Sequence, residues 1–294
     1  MMKCKSDTGI LQQKLYNLML ALLQSNDGEI KENFSENMIT RLVSGEITEG
    51  SFSNIEVTEK MYFKGYPDSN LLWNTARILE LWMHHGSFPI NFYEISGFER
   101  EQTGEMINKF NHLTPTLEQI KAAVEEKSEN VIALVRQFLI DFGERGIMLC
   151  QGARKTTGSV SDLPLPQRKA LVEKFNAINF RGGRAEAEEG KKSHILTVGA
   201  RALCKHAHRS SEGFWGIATG TETKKNEHAN EVINRILNEC TWINVHLLPH
   251  DEVILEARVS AGYGARWSVK GTISFRGFLE PQIENGHSMK WRHQ

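Results

Sequence analysis

Residues 256–281, EARVSAGYGARWSVKGTISFRGFLEP, carry three arginines and two glutamates in text that reads as strand, glycine turn, strand, turn, strand. Alternate residues of a strand point to opposite faces. Over 252–260 this sets Val253, Leu255, Ala257 and Val259 on one face and Ile254, Glu256 and Arg258 on the other. The GYG at 262–264 turns the chain, because glycine accepts positive φ without strain. In the return strand Trp267 and Val269 face the core and Arg266 the opposite side. In the third strand Ile273, Phe275 and Leu279 point inward, and Arg276 and Glu280 point outward with Phe278. Glu256, Arg258, Arg266, Arg276 and Glu280 are therefore expected to share a face. The ordinary version of such a face is solvated and laced with cross-strand ion pairs, each worth well under about 1 kcal/mol. The chemically sharper version is a platform for phosphate or carboxylate, which guanidinium groups bind in bidentate fashion. Tyr263 and Trp267 lie close enough in sequence to stack on a base.

The histidines offer a second chemistry. His246 and His250 sit at a strand end in VHLLPHDE, close in sequence to Glu252 and Glu256. His246, His250 and Glu256 are candidates for acid–base work near neutral pH, and a plain strand-end turn is the alternative. In GARALCKHAHRSSEG, His206 and His208 superficially resemble the first metal-binding motif of cupins. The apolar spacing of Val198, Ala202, Leu203 and Ala207 favours a helix, on which residues two apart face different ways and cannot chelate one ion. His206 and His208 are thus weak metal candidates. The helix reading yields a basic stripe instead, with Arg201, Lys205, His208 and Arg209 along one face. No HExxH, GxSxG or dinucleotide fingerprint is present, and GARKTTG lacks the P-loop spacing.

These residues must be positioned by the surrounding elements. Residues 197–209 read as a helix capped by Thr197, 214–219 as a short strand, 224–239 as an amphipathic helix, and TWINVHLLP as a strand. Antiparallel strands in series with helices on one face define an α+β class. Earlier in the chain, 70–85 carries Leu72, Trp73, Ala76, Leu79 and Trp82 at helical spacing. A longer helix is expected from Thr114 and Pro115 to a stop at Gly143. Residues 44–66 suggest a short hairpin. The chain divides on this reading into a mainly helical acidic region (1–150), a loop or linker with one short helix (151–193), and a basic α+β domain (194–294).

Charge follows that division. Residues from 146 onward hold 21 basic against 15 acidic side chains, a net of +6, and the preceding residues hold 14 against 21, a net of −7. Eight of the eleven histidines also lie in the later part. Such a domain suits an anionic ligand, although opposite charges on adjoining regions also serve docking. Cys4, Cys150, Cys204 and Cys240 are far apart and form no CxxC, which suggests reduced thiols and an intracellular, cytoplasmic or nuclear, protein. No run approaches the roughly 18 apolar residues of a membrane span. Residues 11–22 are amphipathic rather than a leader, with no small-residue cleavage site after them.

GYGARW, FRGFLEPQ and GHSMKWRH, in series, resemble an uncharacterised, chiefly eukaryotic protein family over about residues 194–293. That resemblance implies a coherent domain and no particular reaction. A strand with tryptophan, then KKNEHANEVINRILNE, then a strand ending in PHDE is more faintly similar to cap-binding translation-initiation proteins. The likeness implies a curved antiparallel sheet backed by helices; Trp215, Trp242 and Trp267 do not align with that family's base-clamping tryptophans.

The expected function is binding of a phosphate-containing ligand, RNA or a nucleotide, by Arg258, Arg266 and Arg276, with Arg201, Lys205 and Arg209 extending the field and Tyr263 or Trp267 stacking. The alternatives are a metal-assisted enzyme built on the C-terminal histidines and a protein-interaction scaffold. No cofactor and no membrane partner is expected.

Overall fold

The computed structural model describes residues 9–47, 55–95, 101–160, 162–178, 195–207 and 213–282. The chain folds as two compact units. One comprises 1–63, 67–92 and 100–165; the other comprises 64–66, 93–99 and 166–294.

The first unit is mostly helical. Its elements are α1 (Ile10–Leu23), α2 (Gly28–Asn33), α3 (Glu36–Val43), β1 (Ile55–Val57), β2 (Met61–Phe63), α4 (Leu71–His85), β3 (Ile90–Asn91), α5 (Thr103–Phe110), a 3₁₀ turn (Asn111–Leu113), α6 (Thr114–Glu126) and α7 (Val131–Cys150). Polar caps start several helices: Asp27 accepts from the Ile30 N–H at 3.1 Å and Asn70 from the Trp73 N–H at 3.0 Å. Each satisfies a backbone donor that the helix itself leaves open. The apolar stripe of α4 is core, with Leu72, Ala76 and Trp82 at 0% exposure. The expected hairpin within 44–66 is present, since β1 pairs antiparallel with β2. The single long helix expected from Thr114 to Gly143 is instead two. α6 ends where Lys127 takes a left-handed φ of 55°. Gly143, the expected stop, lies inside α7 as a kink with φ 60° and ψ −176°. The polar run EEKSEN supplies no apolar stripe to hold a helix across 125–130.

The second unit holds α8 (Arg168–Phe175), α9 (Val198–His206), α10 (Glu222–Glu239), β4 (Cys240–Leu248), β5 (Glu252–Val259), β6 (Gly264–Ser268) and β7 (Ser274–Leu279). The four strands form one antiparallel meander in chain order. With the helices this makes an α+β protein, as the strand and helix patterns predict. Thr197 caps α9 by accepting from the Ala200 N–H at 3.1 Å, and Thr221 caps α10. The face of α10 built from Ala229, Val232, Ile233, Ile236 and Leu237 is buried, and α10 packs on β5 and β6. Residues 214–219 are not a strand. Gly213 and Gly216 both take φ of 68°, which breaks an extended run, and Trp215 between them is fully buried.

Candidate active site on the sheet

The register of the meander decides which side chains meet. Asn244 pairs with Glu256, and Glu256 with Arg266; Trp242 pairs with Arg258, and His246 with Ile254. Period-two alternation then sets Trp242, Asn244, His246, Ile254, Glu256, Arg258 and Arg266 on one face of the sheet. The opposite face carries Val245, Leu255, Ala257 and Trp267, all at 3% exposure or less.

The three arginines on the charged face have three different surroundings. Arg258 is 4% exposed. Its Nε donates to Glu256 Oε2 at 3.1 Å, and its Nη1 donates to the carbonyls of Gly262 at 2.8 Å and Glu280 at 2.9 Å. Gly262 takes φ of 85° in that turn. A Cβ on Gly264 would lie 2.7 Å from Arg258 Cγ and 2.3 Å from the Ala257 carbonyl, so only glycine lets the arginine stem and the strand approach. Arg258 is thus an internal brace whose donors are turned to the protein. Arg276 is half exposed and forks onto Glu252, Nη1 to Oε1 at 3.0 Å and Nη2 to Oε2 at 3.3 Å. Arg266 is half-buried and makes no hydrogen bond or ion pair among the described residues. Of the expected platform, only Arg266 presents an unengaged guanidinium.

Glu256 has its second oxygen in reserve. Its Oε1 lies 3.9 Å from His246 Nε2, with the imidazole and carboxylate side chains 19% and 11% exposed. Burial pushes the His246 imidazole below the usual histidine value; Glu256 pulls it up, and Arg258 and Arg266 push it further down. The ring is therefore neutral at pH 7, able to accept a proton. Its Nδ1 is buried without a hydrogen-bond partner among the described residues. A buried polar atom left unpaired costs free energy, and sites that persist with one are commonly functional. A neutral base, a carboxylate 3.9 Å from it able to stabilise its charged form, and a nearby unengaged guanidinium are the groups that acid–base chemistry on an anionic substrate would need.

The other expected residues fall elsewhere. His250 lies beyond the last β4–β5 pair, Leu248 with Glu252, at φ 69° in an exposed turn, so it does not join His246. Tyr263 is 4% exposed, and Phe214 stacks on it at 4.2 Å and 5°. Arg235 lies 4.3 Å over the same Phe214 ring. Trp267 is fully buried and its Nε1 donates to the Leu171 carbonyl at 3.3 Å. Both aromatics are packed into the body, so neither offers an open face for a base. Trp215 and Trp242 are equally buried. Arg201 and Lys205 are exposed one turn apart on α9. Arg209 and His208 lie outside the described residues, as does the tail GHSMKWRH. His206 Nε2 lies 2.8 Å from Glu280 Oε1, which also accepts from Trp215 Nε1 at 2.8 Å. Among the described residues no three His, Cys, Asp or Glu side chains are grouped to hold a metal ion, and no helix is long and apolar enough to cross a membrane. Cys240, the first residue of β4, is buried, its thiol pushed up to about 12 by burial, which leaves it unreactive. Asn244 was absent from the sequence-based set. The alternation of Trp242, Asn244 and His246 with three apolar residues would have found it.

A family model for the CdiA C-terminal tRNase toxin domain matches residues 185–280. The matched span contains α9, α10 and all four strands of the meander, with His246, Glu256 and Arg266, and is less than half of the chain. This similarity is to a toxin-domain family, in place of the cap-binding and chiefly eukaryotic likenesses suggested by the sequence motifs. No curated protein and no solved structure matches the chain.

Proposed function

We propose that the second unit is a ribonuclease acting on tRNA, with His246, Glu256 and Arg266 as its working groups. The observation that carries this reading is the coincidence of two things: the match to the tRNase toxin domain spans 185–280, and the neutral His246 beside Glu256 lies inside it. The chemistry is consistent within itself. His246 takes the proton from a ribose hydroxyl as that oxygen bonds to phosphorus. Glu256 stabilises the imidazolium that forms, and Arg266 neutralises the charge gathering on the phosphoryl oxygens. The bond from phosphorus to the leaving oxygen then breaks, and the imidazolium returns its proton there. A ribose hydroxyl as nucleophile makes RNA, not DNA, the substrate. The basic balance of residues after 146 adds attraction for the backbone. Incubating the full chain with purified tRNA and with single-stranded DNA of similar length tests this. Cleavage of tRNA alone, lost in His246→Ala and in Glu256→Gln, is expected; equal cleavage of both polymers, or an unaffected His246→Ala, would overturn it.

A further inference from the structure

The contacts of Arg258 reach the sheet site through Glu256. His246 pairs with Ile254 across the β4–β5 ladder, so Glu256, two residues further on, lies diagonal to it. Diagonal neighbours are about 7–8 Å apart, a distance that long side chains bridge. A hydrogen bond between imidazole and carboxylate needs about 2.7–3.2 Å, and Nε2 of His246 stands 3.9 Å from Oε1 of Glu256. The backbone therefore permits a closer pair than the one that forms. The other oxygen of the same carboxylate accounts for the gap, because Oε2 accepts from Arg258 Nε at 3.1 Å. Arg258 cannot follow Glu256 toward His246. Its Nη1 is fastened to two carbonyls, Gly262 at 2.8 Å in the turn after β5 and Glu280 at 2.9 Å just past β7. Gly264, its register partner on β6, leaves room for its stem, since a Cβ there would lie 2.7 Å from Arg258 Cγ. The guanidinium is thus anchored to the sheet, and Glu256 is anchored to the guanidinium.

We propose that Arg258 is the positioning residue of the sheet site: it draws Glu256 away from His246 and holds the carboxylate out of hydrogen-bond reach of the imidazole. The proposal rests on the reading of His246 as the base. A closed imidazole–carboxylate pair would favour the charged ring and leave no free acceptor at neutral pH. A carboxylate held at a stand-off interacts weakly with the neutral ring and strongly with the imidazolium. Its contribution therefore grows as the proton leaves the ribose hydroxyl, which is where an interaction accelerates a reaction. Arg258 in this way reserves Glu256 for the charge that develops during the reaction. At 4% exposure it does not reach a substrate itself, so its influence on the chemistry runs through Glu256.

The test is an NMR titration of the His246 ring in the full-length protein, its signals assigned by their loss in His246→Gln. The charged groups acting on that ring are Glu256 and Arg258 of β5 and Arg266 of β6. Arg258→Lys keeps the positive charge and loses the planar fork that engages a carboxylate and two carbonyls together. It is compared in the parent and in the Glu256→Gln background, with melting temperatures recorded. The released carboxylate should close on His246 and raise the proton affinity of the ring at least about threefold. The same substitution should leave the ring unchanged in the Glu256→Gln background. Where Arg258→Lys does not fold, Arg258→Gln is carried through the same two backgrounds. Loss of its direct charge is then common to both, and only an excess rise in the presence of Glu256 supports the proposal. Equal shifts in the two backgrounds, or no rise in a folded variant, would overturn it, since Arg258 would then act as a bare charge or as a structural brace alone. The titration needs no substrate. With tRNA, the acid limb of the cleavage rate should move to higher pH in Arg258→Lys. A parent that titrates as expected but leaves tRNA intact would overturn the ribonuclease reading and not the placement of Glu256 by Arg258.

Discussion

Two buried polar regions of this protein solve the same electrostatic problem differently. In the first unit Arg154, 2% exposed, donates through Nη1 to both oxygens of Glu101 at 2.9 and 3.0 Å and lies over the Phe92 ring at 5.2 Å, and Glu101 in turn accepts from Thr103. Nearby, the Gln151 amide donates to the Leu71 carbonyl and to Thr75 and accepts from Asn74. Each of these groups has a partner. On the sheet of the second unit, Arg258 is as fully engaged as Arg154, yet His246 keeps an unpaired Nδ1 and Arg266 keeps an unengaged fork among the described residues. The difference separates polar groups that specify a fold from those left available for chemistry. Completed networks rigidify; incomplete ones cost stability and persist where something else completes them.

The comparison can be broken by substitution. The largest effect is expected at His246: replacement by Ala should lower tRNA cleavage by ~10²–10⁴ with the melting temperature near that of the parent, as for loss of a general base. Glu101→Leu should behave in the opposite sense. It strands the buried Arg154 charge and should cost about 3–5 kcal/mol in urea unfolding, with activity per folded molecule retained. Arg266→Ala should reduce cleavage by ~10²–10³ as loss of one charge-stabilising group, and should flatten the salt dependence of RNA binding, while unfolding changes little. A smaller effect concerns pH. The folded state lowers the His246 value below 6.5, so the unfolded chain binds the proton more readily; stability is greatest above 6.5 and falls as pH drops through the window beneath it. Urea midpoints at pH 7.5 and pH 5 should therefore converge in His246→Gln relative to the parent. The smallest effect is at Arg276, whose pair with Glu252 is half exposed: Ala there should cost under about 1 kcal/mol and leave cleavage unchanged.

Much of this arrangement is legible in the sequence. Period-two alternation over 252–260 suffices to place Glu256 and Arg258 on one face, and TWINVHLLP as its neighbour brings His246 to it. The amphipathic stripe of 224–239 is enough for α10. What the sequence withholds is satisfaction. Whether an arginine on a charged face is spent or available depends on turns: Gly262 and Glu280 offer Arg258 their carbonyls only because the GYG turn folds back, and no periodicity encodes that. Aromatic side chains mislead for a related reason. Tyr263 and Trp267 read as stacking surfaces beside arginines, but Phe214 and Leu171, remote in sequence, occupy the space around them. The break at Lys127 was equally hidden, because the apolar residues on either side of 125–130 fit one helix as well as two.

The most direct measurement is the single-turnover rate of tRNA cleavage by the full-length protein, compared between the parent, His246→Ala and Arg276→Ala, with melting temperatures recorded for each. The account predicts cleavage by the parent, an equal rate for Arg276→Ala, and loss of the reaction in a folded His246→Ala. A folded parent that leaves tRNA intact, or a His246→Ala protein that cleaves at the parent's rate, would contradict it.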